Sequence, residues 1–192
     1  MYFVKRHGGY IDASGQSFRA FIDGELPAAP GERANLHDWE EHLATIFPEV
    51  RLKTFLEMRG ADTGPKTRLC ALAALWIGLL YDDAALAAAW DLAKGWTADE
   101  REAIRVEAAR VGLKAEVGGR TLRDVALDVL AIARRGLKNR GRIGPSMTDE
   151  TGFLASLDEI AETGVTPAER WLELYNGVWK GNLSSIYESA AY

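Results

Sequence analysis

Residues Phe47 to Gly60 read FPEVRLKTFLEMRG, and this stretch decides the fold of the 192-residue chain. Read with a period of two, it separates into a packing set and a largely charged set. The packing set is Val50, Leu52, Thr54, Leu56 and Met58, and the other set is Arg51, Lys53, Phe55, Glu57 and Arg59. Side chains alternate between the two faces of a β-strand, so the pattern predicts one interior strand with a packed face and a working face. A helix is excluded because spacings of three and four give no single apolar stripe.

The working face of this strand carries the candidate binding residues. A carboxylate at Glu57, two residues before the guanidinium of Arg59, can ligate a hard divalent cation while the arginine binds an adjacent phosphate in bidentate fashion. Arg51 and Lys53 extend the same face, and with Arg59 they would form a cradle for a polyphosphate. The alternative is a cross-strand ladder of ion pairs, and the residue types leave both possibilities open.

Short strands and turn signals dominate the first third of the chain. His7, Gly8 and Gly9 predict a turn between strands at Tyr2–Val4 and Tyr10–Ile11, because a tight connection needs positive φ angles. Ser17 and Gly24 predict the two ends of a helix over Phe18 to Asp23. A helical turn capped by Asp38 is expected before the central strand.

The rest of the chain predicts helices. One long, nearly all-apolar helix is expected from about Lys66 to Trp90. Asp62 could hold a metal-bound water, but it is expected to cap this helix instead. Capping boxes predict three further helix starts, at Thr97 with Glu100, Thr121 with Asp124 and Thr166 with Glu169. The second helix is expected to bury Leu122, Val125, Val129, Ile132 and Ala133, and the third to bury Trp171, Leu174, Tyr175 and Val178. Strands followed by helices indicate an α+β fold, with helices on one face of a largely antiparallel sheet.

Composition narrows the class of protein. A net charge of −5 argues against general nucleic-acid binding, and the basic cluster from Arg134 to Arg142 reads as a solvated helix end. The apolar run Leu69–Leu80 is too short to span a membrane. The single cysteine, Cys70, excludes an internal disulfide and is expected in the core, and His42 is expected to be structural. The start, MYFVKR, does not have the pattern of a signal peptide. Together with the single cysteine, this predicts a cytoplasmic protein.

Four segments together resemble the plant and proteobacterial type of glutamate-cysteine ligase, within the glutamine synthetase-like carboxylate-amine ligases. The segments are Asp38–Leu43 (DWEEHL), Phe47–Lys53 (FPEVRLK), Leu56–Pro65 (LEMRGADTGP) and Ala74–Asp82 (ALWIGLLYD). The resemblance runs from Tyr2 to Tyr192. It implies the C-terminal part of a glutamine synthetase-like catalytic domain. Residues 1–65 would be its sheet portion, with the central strand at 49–59, and residues 66–192 its helical portion.

The resemblance also implies a reaction and its participants. ATP would activate the γ-carboxylate of glutamate as an acyl phosphate, which the amine of cysteine then attacks. Glu57 would be a Mg²⁺ ligand and Arg59 would contact the transferred phosphoryl group, while Arg51 and Lys53 would bind phosphate or the glutamate carboxylate. Members of the family are longer, so the partner is expected to be a missing N-terminal half, and the chain alone is expected to be inactive. A non-catalytic module that binds glutamate or nucleotide, and a related ligase that uses another amine, remain alternatives.

Overall fold

The computed structural model describes residues 1–144 and 148–190, so the end of the predicted helical portion at Tyr192 lies outside the described residues. The chain divides into two compact units, Met1–Ala61 and Asp62–Tyr192. The first unit contains short strands and two helices, and the second is mainly helical. The predicted α+β class, with antiparallel strands followed by a helical layer, is confirmed.

The N-terminal unit opens with the predicted hairpin. Strands β1 (Phe3–Arg6) and β2 (Gly9–Asp12) pair antiparallel, and His7 and Gly8 adopt positive φ angles of 52° and 78° in the turn. Helix α1 (Phe18–Asp23) begins and ends where predicted, because the Ser17 side chain accepts a hydrogen bond from the N–H of Arg19 and Gly24 takes a left-handed conformation. The core of this unit consists of Val4, Ala13, Phe21, Leu26 and Ala29.

Helix α2 (Leu36–Ala44) begins two residues earlier than its predicted cap. Asn35 is the N-cap, and Asp38 is the third helical residue, whose carboxylate closes a capping box on the Asn35 backbone N–H. The prediction that Asp38 caps the helix was therefore wrong by one turn. The same carboxylate is buried and accepts two hydrogen bonds from the Arg6 guanidinium, at 2.6 and 3.1 Å. This ion pair ties α2 to strand β1.

The central stretch forms a hairpin where one strand was predicted. Strand β3 (Val50–Leu52) turns through residues 53–55 and pairs antiparallel with strand β4 (Leu56–Met58). The strands of the described residues form separate two-stranded antiparallel sheets, so the expectation that this stretch is an interior strand of a sheet was wrong. The packing set was expected to be buried, yet Val50, Leu52 and Leu56 are exposed.

The C-terminal unit begins with two helices in place of the single predicted one. Helix α3 (Lys66–Leu80) has Tyr81 as its C-cap residue, and helix α4 (Asp83–Ala93) follows at a bend of 94°. Asp82 causes the break, because its extended backbone leaves the helix and its carboxylate accepts the Ala85 N–H as an N-cap. Helix α3 starts after Pro65 with no side-chain cap, so the prediction that Asp62 caps it was wrong.

The remaining elements follow the predicted capping boxes, all three of which form. Val125, Ile132 and Ala133 of the predicted stripe are buried, while Leu122 and Val129 are partly buried. The helix that begins at the Thr166–Glu169 box was expected to bury four residues, and this prediction was wrong. The helix buries no residue fully, and Val178 lies beyond its end. The elements are α5 (Ala98–Val111), a 3₁₀ helix (Gly112–Lys114), β5 (Glu116–Val117), β6 (Arg120–Thr121), α6 (Leu122–Arg140), a second 3₁₀ helix (Glu150–Leu154), α7 (Ala155–Thr163), α8 (Pro167–Asn176) and α9 (Ser184–Ser189).

Helices α3 and α6 cross at the centre of this unit with their backbones in direct contact. The crossing is built on Gly78 and Gly136, since a Cβ on either glycine would lie within 2.3 Å of a carbonyl oxygen of the other helix. The surrounding core contains Ala74, Leu79, Leu130, Leu137 and Leu154. Across residues 1–144 and 148–190 no single helix meets the length and apolarity of a membrane span, and only the bent pair α3–α4 does so jointly.

Candidate functional site

The charged face of hairpin β3–β4 brings together all four predicted site residues. The register pairs Val50 with Met58, Arg51 with Glu57 and Leu52 with Leu56, so odd residues oppose odd residues. Residues directly opposite in an antiparallel pair project on the same face. The two faces predicted for one strand are therefore preserved in the hairpin. The N–H of Arg59 donates to the carbonyl of Glu49 at 2.8 Å and extends this register by one more pair.

Three cationic side chains surround the carboxylate of Glu57. Its Oε2 lies 3.9 Å from Arg51 Nε, 3.9 Å from Lys53 Nζ and 3.7 Å from Arg59 Nη1. These separations are ion pairs beyond hydrogen-bonding distance. The side chains are partly solvated, so each pair is worth at most about 1 kcal/mol. The cross-strand ion-pair arrangement, which the sequence left open as an alternative, is thus formed in this hairpin.

The Oε2 atom of Glu57 is buried and has no hydrogen-bond partner within the described part of the chain. A buried carboxylate oxygen without a hydrogen bond is costly, so native structures seldom leave one unsatisfied. Nearby positive charge offsets part of that cost. Three cations around one carboxylate also leave an excess of positive charge on the face, which favours an anion.

Two residues of this face were missed by the sequence argument. The Phe47 ring lies under two guanidinium groups, 5.4 Å from Arg59 and 5.9 Å from Arg51, in cation–π geometry. Glu49 pairs with Arg59 along the ladder, and its Oε2 would lie 2.5 Å from a Cβ at Gly60. The signal was available in the sequence, because positions 47 and 49 continue the odd-numbered set N-terminal to Arg51.

The residue types on this face are ones that could hold a phosphate group and supply one metal ligand. Guanidinium and ammonium groups bind phosphate oxygens, and a carboxylate oxygen is a preferred ligand of Mg²⁺. Among the described residues no group of three or more histidine, cysteine, aspartate or glutamate side chains is placed to hold a metal ion. Glu57 therefore fits magnesium as a single ligand, and the described chain does not complete the coordination.

Other candidates from the sequence lie in structural settings. The imidazole of His42 stacks on Phe18, with ring centroids 4.7 Å apart and planes 9° from parallel, and burial lowers its pKa. In the basic cluster, Arg134 Nη2 contacts both carboxylate oxygens of Asp158 at 2.6 Å. Cys70 is partly buried and lines a cavity of about 570 Å³ between α3 and α7, so its assignment to the core was wrong.

The model of the Glutamate-cysteine ligase family 2 matches residues 1–189. The chain is 51% identical over all 192 residues to the chloroplastic glutamate-cysteine ligase of Arabidopsis thaliana. It is 50% identical to the corresponding protein of Solanum lycopersicum and 49% identical to that of Medicago truncatula, again over its full length. The match covers only 36–37% of each of these relatives, in their C-terminal portion.

These relatives correct one prediction from the sequence. A cytoplasmic location was expected, yet the names of these ligases describe chloroplastic proteins, and they contradict it. The predicted resemblance itself is confirmed by the family model and by half of the residues being identical in each relative. On that evidence the chain belongs to glutamate-cysteine ligase family 2.

Proposed function

We propose that this chain supplies part of the active site of an ATP-dependent glutamate–cysteine ligase, and that hairpin β3–β4 binds the phosphate that is transferred. The observation that carries the proposal is the convergence of Arg51, Lys53 and Arg59 on a buried oxygen of Glu57 that has no hydrogen bond in the described chain. Family membership supplies the reaction class. The γ-carboxylate of glutamate accepts the terminal phosphoryl group of ATP, and the amine of cysteine then displaces phosphate to form the amide.

The three cations act on negative charge that develops during phosphoryl transfer. Such a reaction depends on positioning and on fixed positive charge aimed at the transferring oxygens. The planar guanidinium of Arg59 provides two parallel N–H donors for a phosphoryl group. The Phe47 ring packs against this guanidinium in cation–π geometry and helps to fix its position. Arg51 and Lys53 bind further phosphate oxygens or the glutamate carboxylate. Loss of one preorganised donor of this kind commonly costs about 3 kcal/mol of transition-state stabilisation.

Glu57 is assigned as one magnesium ligand. A magnesium ion held there would supply positive charge that lowers the repulsion between ATP and the attacking carboxylate. The buried Oε2 supports this role because it has no hydrogen bond that would have to break. Its three cationic neighbours then contact the phosphate oxygens around the same position.

The remaining metal ligands, and much of the nucleotide site, are assigned to the part of the ligase outside these 192 residues. Magnesium requires several oxygen ligands, and one carboxylate from one hairpin does not satisfy it. The chain spans just over a third of the length of its relatives, which leaves room for those ligands. The isolated chain is therefore expected to be inactive.

A full-length chimera tests this assignment. In it, these 192 residues replace the matched stretch of the Arabidopsis thaliana relative, and ADP release is measured with glutamate, cysteine and Mg-ATP. Glu57→Gln should abolish turnover, because it removes the metal-binding charge and keeps the size of the side chain. The matched control is Glu173→Gln, an exposed carboxylate on α8, and it should leave turnover unchanged. Full activity of the Glu57→Gln chimera would overturn the assignment and leave the ion pairs a purely structural role.

A further inference from the structure

The second face of hairpin β3–β4 is apolar and uncovered. Leu52 is 80% exposed, Leu56 is 54% exposed and Val50 is 44% exposed, and Met58 completes the face. Adjacent apolar side chains on one strand face are normally buried, and an exposed patch of this kind marks an interaction surface. We call these four residues the apolar face.

Apart from its own hydrogen bonds, ion pairs and cation–π contacts, the hairpin is not packed into a hydrophobic core in the described chain. None of its residues belongs to the core of the N-terminal unit or to that of the C-terminal unit. Neither β3 nor β4 pairs with a further strand among the described residues, so both edges are open. A two-stranded hairpin alone is marginally stable in water, and it needs a third strand or a packed face.

The length of the relatives offers a candidate occupant for this face. Almost two thirds of the Arabidopsis thaliana ligase lies outside the stretch that matches this chain. A hairpin that binds ligand on one face must be held rigidly from the other. Because Leu52 and Leu56 project opposite to Arg51 and Glu57, a polypeptide packed on the apolar face leaves the charged face open to ligand.

We propose that the apolar face is the surface on which the remainder of the full-length ligase packs, and that this packing fixes the geometry of the charged face behind it. The inference rests on family membership and on the exposure of these side chains. It does not depend on the identity of the transferred group or of the amine. A failure of the ligase activity and a failure of this interface are therefore separable.

Covalent footprinting with a photogenerated carbene tests the interface directly. Labelling of residues 50–58 is compared between the isolated chain and the full-length chimera. The expected result is strong labelling of Leu52 and Leu56 in the isolated chain and at least fivefold weaker labelling in the chimera. Equal labelling in the two proteins would overturn the proposal. Protection that appears already in the isolated chain and grows with its concentration would also overturn it, in favour of contact between two copies.

Substitution gives an independent readout that needs no activity. Leu52→Gln should leave thermal unfolding of the isolated chain unchanged, since the side chain is solvated there, and should lower the unfolding midpoint of the chimera. Burial of one leucine corresponds to a factor of roughly 10 to 100 in the unfolding equilibrium constant. Leu36→Gln, at a leucine of α2 that is 72% exposed, is the matched control in the same unit. If Leu52→Gln changes neither protein, the proposed interface is wrong.

Discussion

The crossing of helices α3 and α6 makes a sharp prediction about stability. In Gly136→Ala, the added Cβ would lie 1.9 Å from the carbonyl oxygen of Gly78. Ordinary van der Waals contact begins at 3.4 Å, so the two backbones would have to separate by about 1.5 Å. The obstacle is backbone, which cannot rotate away as the end of a side chain can. Separation would loosen the core on both sides of the crossing, including Leu79 and Leu137.

The expected cost of Gly136→Ala follows from two opposing effects. Overpacking of this kind costs about 1–3 kcal/mol or more, while alanine is favoured over glycine in a helix by about 1 kcal/mol. The large separation places the steric cost at or above the top of its range, so we expect a net loss of about 2–3 kcal/mol in unfolding free energy. With a urea dependence of about 2 kcal/mol per molar, the midpoint falls by about 1–1.5 M.

Urea unfolding followed by far-ultraviolet circular dichroism measures this shift. Gly95→Ala is the matched control, because its Cβ would meet no atom within 4 Å and its φ is not left-handed. That substitution should leave the midpoint unchanged or raise it slightly. Equal midpoints for Gly136→Ala and Gly95→Ala would refute the close contact between α3 and α6.

Three further predictions concern the ion pairs of the N-terminal unit. The Arg6 guanidinium holds the pKa of Asp38 below its usual value, so the unfolded state binds the Asp38 proton more tightly than the folded state does. The stabilisation from this ion pair is therefore complete above the unfolded-state pKa of about 4, and it is lost as the pH falls from there through the lower pKa of the folded state. Asp38→Asn should therefore flatten the acid limb of a stability-versus-pH curve and cost about 2–3 kcal/mol at neutral pH, measured by urea unfolding. Glu57→Gln should change the unfolding free energy of the isolated chain by less than about 1 kcal/mol, because the loss of three partly solvated ion pairs is offset by relief of the cost of burying a charged oxygen without a hydrogen bond, and a larger loss would show a mainly structural residue. Arg59→Lys should reduce turnover of the chimera by about 100-fold or more, since a point charge does not reproduce a bidentate contact, and near-normal turnover would contradict phosphate binding there.

Local capping signals predicted the helix ends well. Ser17 and Gly24 form the two ends of α1 as predicted, and the three capping boxes all form. These signals act within four residues, so their geometry is specified by neighbours in the chain. The first hairpin was also predictable, because His7 and Gly8 supply the positive φ angles of its turn.

Longer-range features were less accessible from the sequence. Residues 53–55 contain no glycine, asparagine or proline, so nothing in the stretch indicates the turn that divides it into β3 and β4. Residues 79–83 contain no glycine or proline, which is why the break between α3 and α4 was missed. The exposure of α8 depends on what packs against it, and periodicity alone does not determine that.

The composition of the candidate site was predictable and its arrangement was not. Alternation assigned Arg51, Lys53, Glu57 and Arg59 to one face, and the hairpin keeps them together because its register pairs odd positions. Two of the three ion pairs to a single oxygen depend on the turn, which brings Arg51 of the opposite strand and Lys53 of the turn itself beside Glu57. Ligands beyond this chain leave no trace in its sequence.

The most direct test of the central claim is ADP release from the isolated chain and from the full-length chimera, measured side by side with Mg-ATP, glutamate and cysteine. We predict turnover in the chimera that requires both amino acids, and none in the isolated chain. ADP release by the isolated chain, dependent on both amino acids, would contradict the assignment of the remaining metal ligands to the rest of the ligase. Silence of a correctly folded chimera would contradict the proposed activity itself and favour a binding module.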